Sequence, residues 1–333
     1  TKHLSNNSIL LMRSTVQPGT GDLIESKFCE NQNISYISCP EFLKEGEAVK
    51  DFFTPDRIII GGNNSNAVEK VVQLHSGINS PIIRTKIITA EMIKFASNAF
   101  LATKISFINE MASFCEAWSA DVDDVKEGLG LDHRIGKSFL NAGVGFGGSC
   151  LPKETRAFTS LASNYGFKSH LLSSVLEVNE NQSQIPVRII QNVFQDMNQV
   201  KVGILGMSFK PNTDDIRESP SIKIAQTLSS LGCQVSCFDP ISNQKSAEKL
   251  GTSVKFETSI NNLSQNKNII LFMTPWDSIL NTNWEQIFTS MAEPKILFDG
   301  RNSLNPEIIK NIGFNYVGVG RGISSSDLDS INV

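Results

Sequence analysis

Residues 143–154 read GVGFGGSCLPKE and bring a run of glycines, a thiol and a helix start together. Gly143, Gly145 and Gly148 satisfy G-x-G-x-x-G, the turn that cradles a dinucleotide pyrophosphate. That chemistry needs a strand before the turn, a helix opening inside it and a second strand ending on an acidic residue about 20 positions later. The preceding stretch, RIGKSFLNA, has no β character, and the following one stays helical to Gly166. The phosphate reading lacks its context. Nucleophilic chemistry is the other candidate. Glycines at 143, 145, 147 and 148 let the backbone approach a substrate and adopt positive φ. Cys150 stands just before a helix with Pro152 in its first turn, a favoured early position. The positive end of that helix and the charge of Lys153 both favour a thiolate. A small buried cysteine in a tight loop fits the same residues equally well, and on this stretch alone both readings stand.

Other pairs carry chemistry by spacing. Lys94 and Asn98 lie four apart in EMIKFASNAF, so they share one face of a helix. The apolar residues on both sides set Lys94 apart from an ordinary solvated lysine. Glu41 and Glu45 are also four apart, in PEFLKEG, where a solvated pair on a helix face is the plain alternative. FKPNTDDIRES reads, unaided, as a charged loop capping a strand–turn–helix. Cys233 and Cys237 have no histidine pair nearby, and the four histidines show no H-E-x-x-H spacing, so no metal site is expected.

These groups need a scaffold, and the pattern supplies one. SILLMRSTV, DRIIIGG and PIIRTK read as short strands, with a helix over NAVEKVVQLHSGI. They look like the trailing part of a Rossmann-type α/β sheet whose opening strands are missing. Apolar residues recur at helical steps for some thirty positions from Thr89, and DVDDVKEGLGL and KETRAFTSLASNYG make two further helices. Pro186 should break or restart the helix that follows. From residue 200 strands and helices alternate again, as in a second doubly wound α/β domain. The plan is 1–88, 89–193 and 194–333: the C-terminal part of one α/β domain, a helical centre with the cysteine loop, and a second Rossmann-like domain.

Composition narrows the class. Of 333 residues, 19% are charged and 40% hydrophobic, and the net charge of −4 gives no reason to expect a nucleic-acid partner. No apolar run is long enough to span a membrane, and the first residues show no secretory pattern. Six scattered cysteines in a long chain suit free thiols in a reducing cytoplasm.

The combined motifs resemble the UDP-glucose/GDP-mannose dehydrogenase family. The resemblance rests on RSTVQPGTG at 13–21, CPEFLKEGEAVKDFFTPDRIIIG at 39–61 and EMIKFASNAFLATKISFINE at 91–110. It continues through RIGKSFLNAGVGFGGSCLPKE at 134–154, LGMSFKPNTDDIRESPS at 205–221 and DGRN at 299–302, covering nearly the whole chain. It implies NAD-dependent, four-electron oxidation of a sugar C6 alcohol to a carboxylate, with Cys150 capturing the aldehyde level and passing through a thioester. Lys94 and Asn98 would hold the oxyanion. Glu41 would contact substrate and handle water, with Thr15 close by. Thr15, Glu45, Lys153 and Arg217 would meet NAD. Phe42, Leu43, Phe139, Phe146, Gly147 and Lys210 would contact the nucleotide sugar. KVGILGMSF, which has Gly203 and Gly206 but no third glycine, would open a UDP-binding copy of the fold, with Arg301 on the nucleotide sugar. Arg134 would reach a neighbouring subunit, implying a homodimer built on the central helices.

One position departs from the family. Its usual aspartate four residues after the cysteine, proposed as a base, is Glu154 here. The extra methylene moves the carboxylate by roughly 1.5 Å, enough to matter for positioned proton transfer. UDP-glucose is the favoured substrate, on the strength of DGRN and the late YVGVGR. GDP-mannose is the runner-up, and a non-catalytic sugar-nucleotide-binding remnant is the rival class. The family's own glycine fingerprint is not found. The chain is therefore expected to lack the N-terminal part of its NAD-binding domain and, as given, to be inactive.

Overall fold

The computed structural model describes residues 4–29 and 33–321. The chain divides into two compact units, residues 1–100 and 101–333. The first carries a four-stranded sheet: β1 (Ile9–Met12), β2 (Ser35–Ser38), β3 (Ile58–Gly62) and β4 (Ile82–Thr85), in that order. The β1–β2 and β3–β4 pairs are parallel, and β2–β3 is antiparallel. Around it run α1 (Thr20–Ile24), α2 (Ala48–Phe53) and α3 (Ser65–Leu74). Asn64 caps α3 by accepting from the Ala67 amide at 3.1 Å. Ile37, Ile60, Val68 and Val71 fill the space between sheet and α3. Strand β2, SYIS, is the element the sequence pattern does not disclose. It is four residues long and half polar, too short for a period-two signal. With it, β1–α1–β2 is itself a parallel βαβ unit.

α4 (Ile87–Trp118) is the long helix expected from its periodicity, 32 residues in one run. α5 (Val122–Leu131) starts at Asp121, whose carboxylate accepts from the Asp123 amide at 2.8 Å. α6 (Leu151–Asn164) has Pro152 in its first turn. The chain then forms α7 (His170–Gln182) and α8 (Ile185–Val193), with Pro186 restarting the helix as expected.

The second sheet has six strands, all parallel: β5 (Lys201–Leu205), β6 (Gln234–Phe238), β7 (Lys255–Phe256), β8 (Ile269–Phe272), β9 (Ile296–Asp299) and β10 (Asn315–Gly318). Their order, β10-β9-β8-β5-β6-β7, is that of a doubly wound fold, with the direction of winding reversing between β5 and β8. Alternate side chains enter opposite cores. Val202, Ile204, Leu271 and Phe298 face one; Leu205, Ile270, Phe272 and Leu297 face the other. Each fully buried aliphatic or aromatic group contributes about 1.5–3 kcal/mol. α9 (Pro220–Ser230) covers one face through Ile222, Ile224, Ala225 and Leu228. Among the described residues no helix is long and apolar enough to cross a membrane. All six cysteines are free.

Candidate active site

The glycine loop before α6 is held from several directions. The Gly143 amide donates to Asn109 Oδ1 at 2.8 Å, and Gln182 Nε2 donates to the Gly143 carbonyl at 3.0 Å. Asn179 pairs with Phe146 twice, accepting from its amide at 2.7 Å and donating to its carbonyl at 3.1 Å. The Gly148 amide donates to the Arg217 carbonyl at 2.9 Å. The glycines are needed sterically. A Cβ at Gly147 would lie 2.5 Å from the Glu218 carbonyl oxygen, and one at Gly148, whose φ is +84°, would overlap the Phe209 ring. The loop is thus packed against a polypeptide wall, and its glycines serve close approach rather than phosphate binding.

Cys150 is the N-cap residue of α6 and is exposed, whereas the other five cysteines are buried. Its Sγ lies 3.6 Å from Ser149 Oγ. The first-turn amides of a helix have no partner within it and carry its positive end, and the Cys150 side chain stands beside them without a capping hydrogen bond. Glu154 is buried one turn further on, and its amide donates to the Cys150 carbonyl at 2.9 Å.

Two cavities flank this loop within the second unit. One, of about 290 Å³, is lined by Ile105, Phe139, Asn141, Gly145, Phe146 and Arg301. Arg301, more than 150 residues later in the chain, is therefore brought to Phe139 and Phe146. Arg301 donates from Nε to the Met273 carbonyl at 2.8 Å, from Nη1 to Gly145 at 3.0 Å and from Nη2 to Phe209 at 3.3 Å. Burial pushes its pKa down to about 10, so it stays charged near neutrality. Among the described residues, three of its five N–H groups donate to backbone carbonyls. Met273 and Phe209 follow β8 and β5, so Arg301 lies at the crevice where doubly wound sheets bind ligands. The second cavity, of about 710 Å³, is bordered by Lys153, Arg156, Arg217, Lys223 and Lys249, with Glu218 among them. Arg217 there forks onto Asp215, from Nη2 at 2.8 Å and from Nε at 2.9 Å. Burial raises the Asp215 carboxyl, but bonds from Arg217 outweigh it and hold the group below its usual range.

Lys210 is half-buried with its Nζ 5.6 Å from the Phe209 ring centre. Arg134 is not gathered with these groups. It is exposed and donates to its neighbour Asp132 from Nε at 3.0 Å.

The first unit holds a separate set. After β2 the chain stays beside β1: the Cys39 amide donates to the Met12 carbonyl at 2.8 Å and the Glu41 amide to Arg13 at 3.2 Å. Residues 39–44 form no helix, so Glu41 and Glu45 do not share a helix face. Glu41 Oε2 instead accepts from the Leu43 amide at 2.6 Å, and its Oε1 lies 3.9 Å from Lys94 Nζ. Lys94, 5% exposed, also stands 5.0 Å from the Phe42 ring centre, with Arg57 over the same ring at 3.9 Å. A buried ammonium with one carboxylate at this distance is a source of positive potential in a low-dielectric site. Asn98 is buried one turn further along α4. Thr15 is half-buried just past the C-terminal end of β1, and Glu45 is exposed in a turn.

Sequence reasoning does not find Asn109, Asn179 and Gln182, which shape the loop from α4 and α7. Their only signal is a polar residue at a helical position that proves to be buried or half-buried. Asp239 stands at the end of β6, where a dinucleotide-binding acid would, and does something else. It is buried and accepts from the Met207 amide at 2.7 Å, from Ser208 at 3.1 Å and from Ser242 at 2.8 Å. Its carboxylate is consumed by the turn after β5 and is not directed at a ribose.

Three models of one family match most of the chain. The NAD binding domain of the UDP-glucose/GDP-mannose dehydrogenase family matches residues 1–79, its central domain residues 88–181 and its UDP binding domain residues 203–306. The expectation that the chain lacks the N-terminal part of its NAD-binding domain is not borne out, because the family's NAD binding domain is matched within this chain. The UDP-glucose 6-dehydrogenase TuaD of Bacillus subtilis is 38% identical over 327 residues, spanning 96% of this chain and 70% of that protein. UDP-glucose 6-dehydrogenase YwqF of the same organism is 40% identical, over 96% of this chain and 73% of its own length. Among solved structures, a UDP-glucose dehydrogenase from Pyrobaculum islandicum superimposes with a TM-score of 0.83 at 34% identity, covering 94% of this chain and 70% of that one. The chain belongs to the UDP-glucose/GDP-mannose dehydrogenase family and is an NAD-dependent nucleotide-sugar 6-dehydrogenase.

Proposed function

We propose that the chain oxidises UDP-glucose to UDP-glucuronate through a thioester on Cys150. The observation that carries this reading is a single exposed thiol at the N-cap of a fourteen-residue helix, behind a loop that only glycines can form. NAD, when bound, accepts one hydride in each of two oxidations. The cationic rim of Lys153 and Arg217 suits its pyrophosphate, and the family resemblance also assigns Thr15 and Glu45 of the first unit to the cofactor.

The residues then have assigned tasks. The first oxidation leaves an aldehyde at C6, and the Cys150 thiolate adds to it, forming a C–S bond and an oxyanion. Lys94 and Asn98 hold that oxyanion. Loss of the second hydride leaves the thioester, and water adds to its carbonyl. The C–S bond breaks and releases the carboxylate and the thiolate. Glu41 orients that water, and Glu154 takes a proton from it. By family resemblance, Phe42 and Leu43 of the first unit are assigned to the sugar, as are Phe139, Phe146, Gly147, Lys210 and Arg301 of the second. The names of the relatives and the UDP-binding match favour UDP-glucose over GDP-mannose. The free thiols agree with a cytoplasmic enzyme. The layout 1–88, 89–193 and 194–333 remains our division into cofactor, central and UDP-sugar domains.

Replacing Cys150 by serine tests the mechanism. Acid formation should fall by a factor of about a thousand or more, because an ordinary ester is a poor substitute for the thioester. Uronate produced by Cys150→Ser at a near-normal rate would make the cysteine structural, and a kcat/KM higher for GDP-mannose than for UDP-glucose would overturn the substrate. We also propose a homodimer, with Arg134 serving the neighbour. Phe107, Phe114 and Trp118 form an exposed apolar row on α4, the last two stacked at 5.3 Å. Light scattering that reports a monomer at micromolar concentration would refute it.

A further inference from the structure

The strand tail YVGVGR ends on an arginine, Arg321, whose three guanidinium nitrogens are all engaged. Arg321 donates from Nε to Asp123 Oδ2 at 2.8 Å, and its Nη2 lies 2.7 Å from the same oxygen. Nη2 also donates to the Asn302 carbonyl at 2.7 Å, and Nη1 to the Leu304 carbonyl at 3.1 Å and to the Tyr316 hydroxyl. Four hydrogen bonds and an ion pair thus hold the guanidinium on all three of its nitrogens. Three of the four partners belong to one small region. Asn302 and Leu304 lie in the turn after β9, and the Tyr316 hydroxyl donates to Asp299 Oδ2 at 3.1 Å. Asp299 in turn accepts from the Arg301 amide at 3.1 Å and the Leu304 amide at 2.8 Å.

The turn is clamped a second time. Asn302, at φ +52°, donates to the Val319 carbonyl at 2.7 Å and accepts from the Val319 amide at 2.9 Å. Gly318 leaves the space this needs, since a Cβ there would lie 2.8 Å from Arg321 Cδ. On its other side the tail is fixed to the helices. The Gly320 amide donates to Glu116 at 2.9 Å, and its carbonyl accepts from the Val122 amide at 2.8 Å. Arg301, between the clamped residues, points its guanidinium the other way, at the Gly145 and Phe209 carbonyls and the 290 Å³ cavity.

We propose that Arg321 is a positioning residue for the nucleotide-sugar pocket: it braces the 299–304 turn against α5, so that Arg301 is presented to the ligand in one orientation. Arg321 touches neither the cavity nor Cys150, and its effect passes through backbone. This rests on the reading that the cavity at Arg301 takes the nucleotide part of the substrate. A lysine at 321 keeps the charge facing Asp123 but offers at most three donors and no planar fork, so the Asn302 and Leu304 carbonyls lose their fixed partners.

The test is calorimetric titration of UDP into the full chain, beside initial rates. Arg321→Lys should weaken UDP binding and raise KM for UDP-glucose about tenfold or more, with kcat and KM for NAD within a factor of about three, because a shift of about 1 Å in a positioning group has effects of this size. Tyr316→Phe, which deletes one of the braces and keeps the packing, should change the same two quantities in the same direction by a smaller factor. A lysine variant that melts earlier yet binds UDP as the parent does would overturn the proposal and leave Arg321 a stability residue. Equal rises in KM for NAD and for the sugar would also overturn it. Absence of UDP binding by the parent chain would instead sink the reading of the cavity itself.

Discussion

In the first unit, the turn between β1 and α1 gives the amides of Gly19 and Gly21 to Glu91, at 2.7 and 2.8 Å. In the second, the turn after β5 gives the amides of Met207 and Ser208 to Asp239. Both carboxylates are nearly inaccessible to water, and both hold amides of the kind that would face a phosphate in a dinucleotide turn. They titrate in opposite directions. Burial raises the Glu91 carboxyl, and its two backbone donors do not restore it. Burial also raises the Asp239 carboxyl, but amides from Ser242, Ile241, Met207 and Ser208 overcome it and hold the group below its usual value. Trp276 Nε1 adds a further donor at 3.2 Å. The number of fixed donors decides whether a buried carboxylate is strained or stabilising. Glu91 also raises the pKa of Tyr36, which burial first pushes up; together they bring it to about 12.

The largest break in this comparison is at Asp239. Asp239→Ala strips the partners from several buried amides at once and should cost on the order of 4 kcal/mol in denaturant unfolding at neutral pH. The sign of its pH dependence follows from its lowered pKa. The stabilisation is present above the ordinary aspartate value near about 3.9 and is lost as pH falls through the folded value. The gap between parent and variant should therefore shrink in acid. A gap that is constant from neutrality to below about pH 4 would mean the carboxylate charge contributes nothing.

Glu91→Gln is the smaller break, about 1–2 kcal/mol near pH 4, because one of the two amides loses its acceptor. Its pH dependence runs the other way. A raised carboxyl pKa means that stability is greatest below the unfolded value of about 4.3 and declines as pH rises through the folded value. The glutamine does not titrate, so the variant should close on the parent as pH rises. Unfolding midpoints across that range measure it, and a gap that widens with pH would show that Glu91 behaves as Asp239 does.

Much of the fold is legible from periodicity alone: the long α4, the restart at Pro186 and the strand–helix rhythm from residue 200. Residues 143–148 can likewise be set apart from a cofactor turn, since such a turn needs a strand before it and none stands there. The position of Cys150 at a helix start is legible too, because Pro152 and the glycines are local marks. Motif by motif, the sequence also carries the family. Strand β2 is not legible, because four residues of mixed polarity mark no face. Nor are the partners of the glycine loop. Asn109, Asn179 and Gln182 look like any polar residues on a helix, and they matter only because packing places them against bare backbone. Glu91 reaches a turn 70 residues earlier, and Arg301 finds three carbonyls from three separate segments. Local pattern sets which elements form and which face is apolar. A hydrogen bond between distant segments depends on how those elements pack, and that only the tertiary structure decides.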